Sequence, residues 1–334
     1  MTGTASSLAA LVQERQIPQA TDLEERTSAA AVGDTDDLLT EALAAAAALW
    51  VSAFGATTAA GSGLALARVL RQVGAGITQA LAGLGERARR AVAKVLPSAV
   101  GLGVRHAREV ARAAGRRVPA RAGGRAKPGR DTVMEAARIG QRVEEISRRV
   151  EKLLAARPAR FSGLAAVVQA ARTAVSHVRA AVAWLVHRAV DVGGAAVAAD
   201  LRLGRLWVAE VDACVRCSAY SGQYAAPGEG FEGGRSFDPA QRGRGPDEVT
   251  GPPLHPHCRC RVVPWLISWP IPLPAWLEQR AANAVAEGRA PASESQAARV
   301  RAARTVLASR RRLRARAQAA ARRAVREGRF PAAG

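Results

Sequence analysis

The sequence predicts a mainly α-helical protein carrying one small α+β cysteine module in its C-terminal half, and three observations lead there. Apolar residues make up 49% of 334 positions but lean on Ala and Val, with aromatics at only 4%. That balance suits helices packing through small side chains rather than a large β-sandwich. Two long segments carry apolar stripes at alternating spacings of three and four, and all four cysteines fall between 214 and 260.

Residues 1–103 read as an Ala-rich helical region. The first 35 are polar and broken by Pro18 and Gly33, which predicts a short helix followed by a mobile lead-in. From Asp36 to about Val95 the pattern is helical, interrupted at Gly55, at Gly61-Ser62-Gly63 and at Pro97. Ala42 to Ala67 holds no charged residue and exceeds the roughly 20 residues of a membrane span. It is built mostly of Ala, Gly, Thr and Ser, so a buried or helix-packing segment is expected; a membrane-active segment is the alternative.

Residues 104–130 form a basic linker with nine basic residues and one acidic one. A helix fits only Val104 to Ala114, because Gly115, Pro119, Gly123, Gly124 and Pro128 follow. It reads either as a contact for a polyanion or as a solvated tether. Residues 131–203 read as a helical hairpin. Thr132 with Glu135 gives a capping-box start, and Ala136, Ile139, Val143, Ile146, Val150 and Leu153 form a stripe that stops at Pro158. Leu164, Val168, Ala171, Val175, Val178, Val182, Leu185 and Ala189 form a second stripe. An intramolecular hairpin is favoured over an oligomer interface. Gly193-Gly194 should end this helix, with a short one at 195–203. His177 and His187, on the second helix, are assigned no role.

Residues 204–277 are the cysteine module. Leu206 to Val211 reads as a strand leading into the first cysteine pair, and Arg261 to Val263 as one leading out of the second. The segment from Trp265 to Trp276 should be held extended by Pro270, Pro272 and Pro274. Residues 278–334 form a basic helical tail with twelve Arg and one acidic residue from Arg299 onward, its charge spread over several faces.

The net charge is +21, and Lys occurs only at 94, 127 and 152. Codon bias in a high-GC genome explains why Arg replaces Lys, but not the excess of basic over acidic residues. That excess points to a polyanion such as nucleic acid. No basic start followed by an apolar core marks a secretory signal between Met1 and Thr21, so clustered cysteines read as metal ligands in a reducing compartment.

Cys214-Val-Arg-Cys217 is a C-x2-C pair, a turn that aims two thiolates at one tetrahedral ion. The second half is His255-Pro-His257-Cys258-Arg-Cys260, 37 residues downstream. The leading ligand set is Cys214, Cys217, Cys258 and Cys260, and in the rival set His255 replaces one cysteine of the C-x-C pair. His257 is left outside. Reduced thiols that merely pack together, or disulfides, are the alternatives. A structural zinc is expected rather than a catalytic one, for no general base is evident beyond Glu210 and Asp212. The deaminase H-x-E pattern is absent, and GEGFEGG at 228–234 lacks the Lys-Ser/Thr of a phosphate loop. No enzyme is expected.

The wording of this region, WVAEVDACVRCSAYSGQ followed by GPPLHPHCRCRV, resembles the signature of the Mu F-like phage head morphogenesis family, the minor head proteins. The matching positions are Trp207, Asp212, Cys214, Cys217, Gly222, Pro252, Pro253, His255, Pro256, Cys258, Arg259 and Cys260. That family often has Asn where this chain has His257. The resemblance covers about 60 residues; residues 1–130 and the tail match nothing nameable. It implies a minor virion component of a tailed phage or prophage, found in the host cytoplasm during assembly and then in the capsid interior or at the portal vertex. The partners it implies are the portal and major capsid proteins. The Arg-rich linker and tail would contact packaged double-stranded DNA, and no membrane partner is expected. A zinc-module DNA-binding protein unrelated to virions and a membrane-active ejection protein are the alternatives.

Overall fold

The computed structural model describes residues 3–291, 293–309 and 311–331. Over them the chain is mainly α, with one small mixed module around the cysteines. Its elements are α1 (Ala5–Ala10), a π-helical stretch (Leu11–Gln16), α2 (Ile17–Val32), α3 (Thr35–Phe54), α4 (Gly63–Leu81), α5 (Leu84–Ala113), α6 (Arg130–Ala155) and α7 (Phe161–Asp200). There follow β1 (Gly204–Val208), α8 (Val215–Ser218), β2 (Tyr224–Ala225), β3 (Phe231–Glu232), β4 (Glu248–Val249), β5 (Arg261–Trp265), α9 (Leu273–Ala286), α10 (Gln296–Ala308) and α11 (Ala315–Glu327). Two compact units result. One comprises Met1–Leu23, Pro97–Gly129 and Val186–Gly334, and the other Glu24–Leu96 and Arg130–Leu185.

The second unit is all helix. The N-terminal stretch is helical rather than a mobile lead-in, because Pro18 sits in the first turn of α2, where a missing N–H costs least. The chain turns instead at Gly33, whose φ of 57° is left-handed. The uncharged segment divides into α3 and α4, which pack on each other. Trp50 closes their junction: it is fully buried, donates from Nε1 to the Ala59 carbonyl at 3.2 Å and stacks near Phe54. Gly61 passes beneath these rings, where a Cβ would lie 2.9 Å from Phe54. By length and composition α3 and α7 are each apolar enough to cross a membrane, but the α7 window is 67% buried and therefore a core helix, against 17% for α3. On α3, Ala44, Ala45 and Ala48 are among the exposed positions.

Helix α6 begins at Arg130, and Thr132 is buried within its first turn, so the capping box does not start it. Arg179 pairs with Asp36 at 2.5 Å and Arg172 donates to Thr40, which ties the first half of α7 to α3. Pro97 lies inside α5 rather than ending it. Likewise Gly193-Gly194 lies inside α7, which absorbs most of the separate helix expected at 195–203.

The first unit is built on a three-stranded antiparallel sheet of order β2-β1-β5, and a separate hairpin pairs β3 with β4. Pro264 lies in β5 opposite Arg205, which an edge strand tolerates. Alternation along the strands sorts the two faces. Leu206, Val208, Val263 and Trp265 pack with Leu8, Val12, Val110, Leu273 and Leu277 from the surrounding helices. Trp207, Ala209 and Val262 face the other way and pack with Cys217, Cys258, Cys260, Tyr220 and Phe231. The proline-rich segment does not stay extended: α9 starts at Leu273 with Pro274 in its first turn, where the ring fits the helix.

The tail is folded onto the module. Ala317, Ala321 and Ala324 form a buried stripe on α11 at spacings of four and three, so the tail is amphipathic through small residues. They pack with Ala282, Val285, Ala302, Ala303, Val306 and Phe330, and with Val215 and Phe237 of the module. Arg301 fixes the junction by a bidentate pair, both contacts at 2.7 Å, with the fully buried Asp238, whose pKa this hydrogen bonding lowers.

Candidate metal centre

Strand pairing explains how two half-sites 37 residues apart meet. Val208, the last residue of β1, lies opposite Arg261, the first of β5. The segment leaving β1 and the one entering β5 are therefore neighbours. After β1 the chain reaches Cys214, which caps the single turn α8; its Sγ accepts from the Cys217 N–H at 3.4 Å. That turn sets both thiols of the C-x2-C pair to one side. In the other segment the Cys258 N–H closes a turn onto the His255 carbonyl at 3.2 Å.

All four cysteines are free thiols, which removes the disulfide alternative. Their sulfurs and the His255 ring gather into two sets of metal-capable groups, Cys214, Cys217 and His255 in one and Cys217, Cys258 and Cys260 in the other. Cys217 belongs to both. His255 Nε2 lies 3.3 Å from the sulfurs of both Cys214 and Cys217, and Cys217 Sγ lies 3.6 Å from Cys258 Sγ. The other ring nitrogen, Nδ1, is held 2.8 Å from the Pro256 carbonyl, which orients the ring and directs Nε2 at the sulfurs.

The electrostatics divide the thiols: Cys214 and Cys258 are held low, whereas hydrogen bonds to the other thiols together with burial push Cys217 well above the usual thiol range, and Cys260 is raised as well. Cys214 is held down to about 5, first by its hydrogen bond from Cys217 and then by His255, against the opposing effect of burial. His255 is raised to about 9, chiefly by its hydrogen bond with Cys214. Hydrogen bonding from Cys217 also pulls Cys258 well below the usual thiol range. The cluster thus favours a thiolate at Cys214 beside an imidazolium at His255, and a divalent cation bound there would take the place of the proton they share.

His257 is exposed and belongs to neither metal-capable set. Its φ of 60° is left-handed, a conformation that Asn adopts far more readily than most residues.

The residues flanking the thiols are ion-paired. Arg259 Nε donates to Glu210 at 3.0 Å, and an Arg259 Nη lies 3.7 Å from Asp212. Burial raises Glu210 to about 7 against the pull of Arg259. Behind the sheet's end two more charged groups are buried, Asp191 of α7 and Arg261 of β5; Arg188 is 3.5 Å from Asp191, and Arg261 acts on it through its field. Sequence reasoning missed these buried charges, since an Asp in an apolar helix carries no signal of its surroundings.

Asp191 gives a pH prediction. Burial raises its pKa from 3.8 to about 6 despite Arg188 and Arg261. The folded state therefore holds this proton more tightly than the unfolded chain. Stability from this group is full below about pH 4 and falls as pH rises towards 6, by an amount on the order of 1–3 kcal/mol. The difference in urea midpoint between wild type and Asp191→Asn should follow that slope between pH 4 and 6. A pH-independent difference would show that the carboxyl titrates normally.

No family model, curated protein or solved structure matches the chain.

Proposed function

We propose that the chain is a minor head-morphogenesis protein of a tailed phage or prophage, acting beside the portal during head assembly, with a zinc ion as a structural clasp and no catalytic step. The observation that carries this reading is that several residues resembling the Mu F-like signature, Trp207, Asp212, Gly222, His255, Arg259 and the four cysteines, meet in one folded module. Trp207 is its fully buried centre, 4.7 Å from the Tyr220 ring and 5.2 Å from that of Phe231. Gly222 is left-handed, and a Cβ there would lie 2.4 Å from the Pro274 carbonyl, so it is the point at which the module meets α9. Arg259 ties Asp212 and Glu210 to the second half-site.

Zinc is supported by the donor set of thiols and one imidazole. Tetrahedral bonds of about 2.3 Å to sulfur and 2.0–2.1 Å to nitrogen place neighbouring ligand atoms roughly 3.5–3.8 Å apart. The Cys214–His255, Cys217–His255 and Cys217–Cys258 separations lie near that edge length. Those four are the proposed shell, in which Cys258 closes onto the Cys214, Cys217 and His255 group to meet the ion, with Cys260 a buried thiol beside it. The ion would hold the docking loops together, and with them the seat on which the folded tail rests. The partners are the portal or major capsid surfaces and packaged double-stranded DNA, and the location is the virion.

Mass spectrometry of purified virions tests the assignment. The chain should co-purify with heads at low copy. Consistent absence from heads, with the chain left in the lysate, would refute it.

A further inference from the structure

We infer that a concavity between α9 and the start of α11 is a seat for a backbone phosphate of nucleic acid, formed by Arg280, Arg289, Arg314 and Arg316. This deepens the DNA-contact part of the reading above and rests on it.

The concavity measures about 200 Å³, and its remaining lining includes Asn283, Glu287 and Val211. Four arginines from three separate stretches of chain line it together with a single carboxylate, Glu287. Arg289 Nε lies 2.7 Å from Glu287 Oε2 and Arg316 Nε 2.8 Å from Oε1. One carboxylate thus holds two guanidinium forks in place while neutralising one charge of the four, and their terminal NH2 groups are the donors offered to an oxyanion.

Arg280 stacks over the Trp276 ring at 5.0 Å and lies 3.8 Å from the exposed Glu14. Its pKa is lowered by burial and by the fields of Arg289 and Arg314, a repulsion that an anion in the seat would relieve. Arg314 is placed through its backbone, whose N–H donates to Asn283 Oδ1 at 2.8 Å. Other tail arginines are spent inside the fold: Arg301 on Asp238, and Arg299 on the carbonyls of Ala290 and Pro291. The seat is therefore distinct from a diffuse basic tail.

A phosphate suits it better than a carboxylate-bearing protein surface, because a small concavity ringed by forks matches three or four oxygens on one centre. Exposed arginines continue along the same segment at 312, 322 and 323, as a polyanionic backbone requires.

The test is fluorescence anisotropy of the full-length protein with a short labelled DNA duplex, measured over a salt series. Arg314→Ala with Arg316→Ala should weaken binding at least about tenfold and reduce the salt slope by about two, with equal losses on unrelated sequences. Glu287→Gln should tighten binding. The charge-matched control, Arg148→Ala with Arg149→Ala on the exposed face of α6, should leave affinity unchanged, and unchanged melting curves should accompany each variant.

Equal losses in seat and control variants would reduce the effect to net charge and overturn the seat, as would wild-type behaviour of the seat variant. Binding of inorganic phosphate without any duplex binding, or of poly-glutamate in place of duplex, would overturn the nucleic-acid assignment. Wild-type protein that binds no duplex at any salt would remove the DNA contact itself; duplex binding indifferent to Arg314 and Arg316 removes only the seat.

Discussion

Cys217→Ser is expected to abolish metal binding and to unfold the sheet-bearing part of the protein. Cys217 is the one ligand common to both metal-capable sets, it is 1% exposed, and its sulfur lies within 3.6 Å of His255 Nε2 and Cys258 Sγ. A structural zinc in a small domain contributes on the order of 10 kcal/mol to folding, which is comparable to the whole stability of an ordinary domain. Nothing else on that face of the sheet replaces it: β2, β3 and β4 are two residues each, and the core there is Trp207 with its ring neighbours. Metal content by mass spectrometry and the thermal melt should therefore fall together.

The proposed shell separates the remaining ligands. Cys214→Ser, Cys258→Ser and His255→Ala should each release the ion, whereas Cys260→Ser should keep a stoichiometric zinc and shift the melt only modestly. Loss of zinc from Cys260→Ser with retention in His255→Ala would restore the four-cysteine shell. Wild-type protein that binds no metal yet melts cooperatively would remove the clasp altogether.

The helical class and the cysteine site were legible because each rests on local chemistry. The stripes at Ile139 and Val143, and from Leu164 to Ala189, record burial at helical spacing, and those positions are buried. The C-x2-C turn and the strands entering and leaving the module are short-range patterns as well. What escaped the sequence was decided at long range. Pro18 and Pro97 are ordinary breakers by propensity, yet one falls in a first turn and the other inside a long helix held by its surroundings. The Arg-rich tail reads as a helix with charge spread over several faces because nothing in its own stretch announces Asp238, 63 residues before Arg301.

Gly193-Gly194 was misread for the same reason, and it leads to the other large expected effect. Within the sheet-bearing unit the second half of α5 and the end of α7 touch backbone to backbone. A Cβ on Gly103 would lie 1.8 Å from the Val190 carbonyl oxygen, and one on Gly193 would lie 2.1 Å from that of Val100. Each helix therefore presents its glycine to the other's carbonyl. Glycine is costly within a helix by about 1 kcal/mol relative to alanine, so helix propensity alone favours Gly103→Ala. The contact reverses that sign, because main-chain atoms on both sides cannot move as a flexible side chain would. Either alanine variant should destabilise the protein by about 3 kcal/mol or more, the range of severe overpacking. The loss should be visible as a lowered urea midpoint.

Gly101, two residues before Gly103, is the internal control. A Cβ there would meet only the end of the Arg105 side chain at 3.7 Å. Gly101→Ala should therefore be neutral or mildly stabilising through propensity. The double variant Gly103→Ala with Gly193→Ala should cost less than the sum of its parts, since the first substitution already forces the helices apart. Similar midpoints for Gly101→Ala and Gly103→Ala would show that the helices do not cross at this distance, and the glycine pair would then lose its structural role.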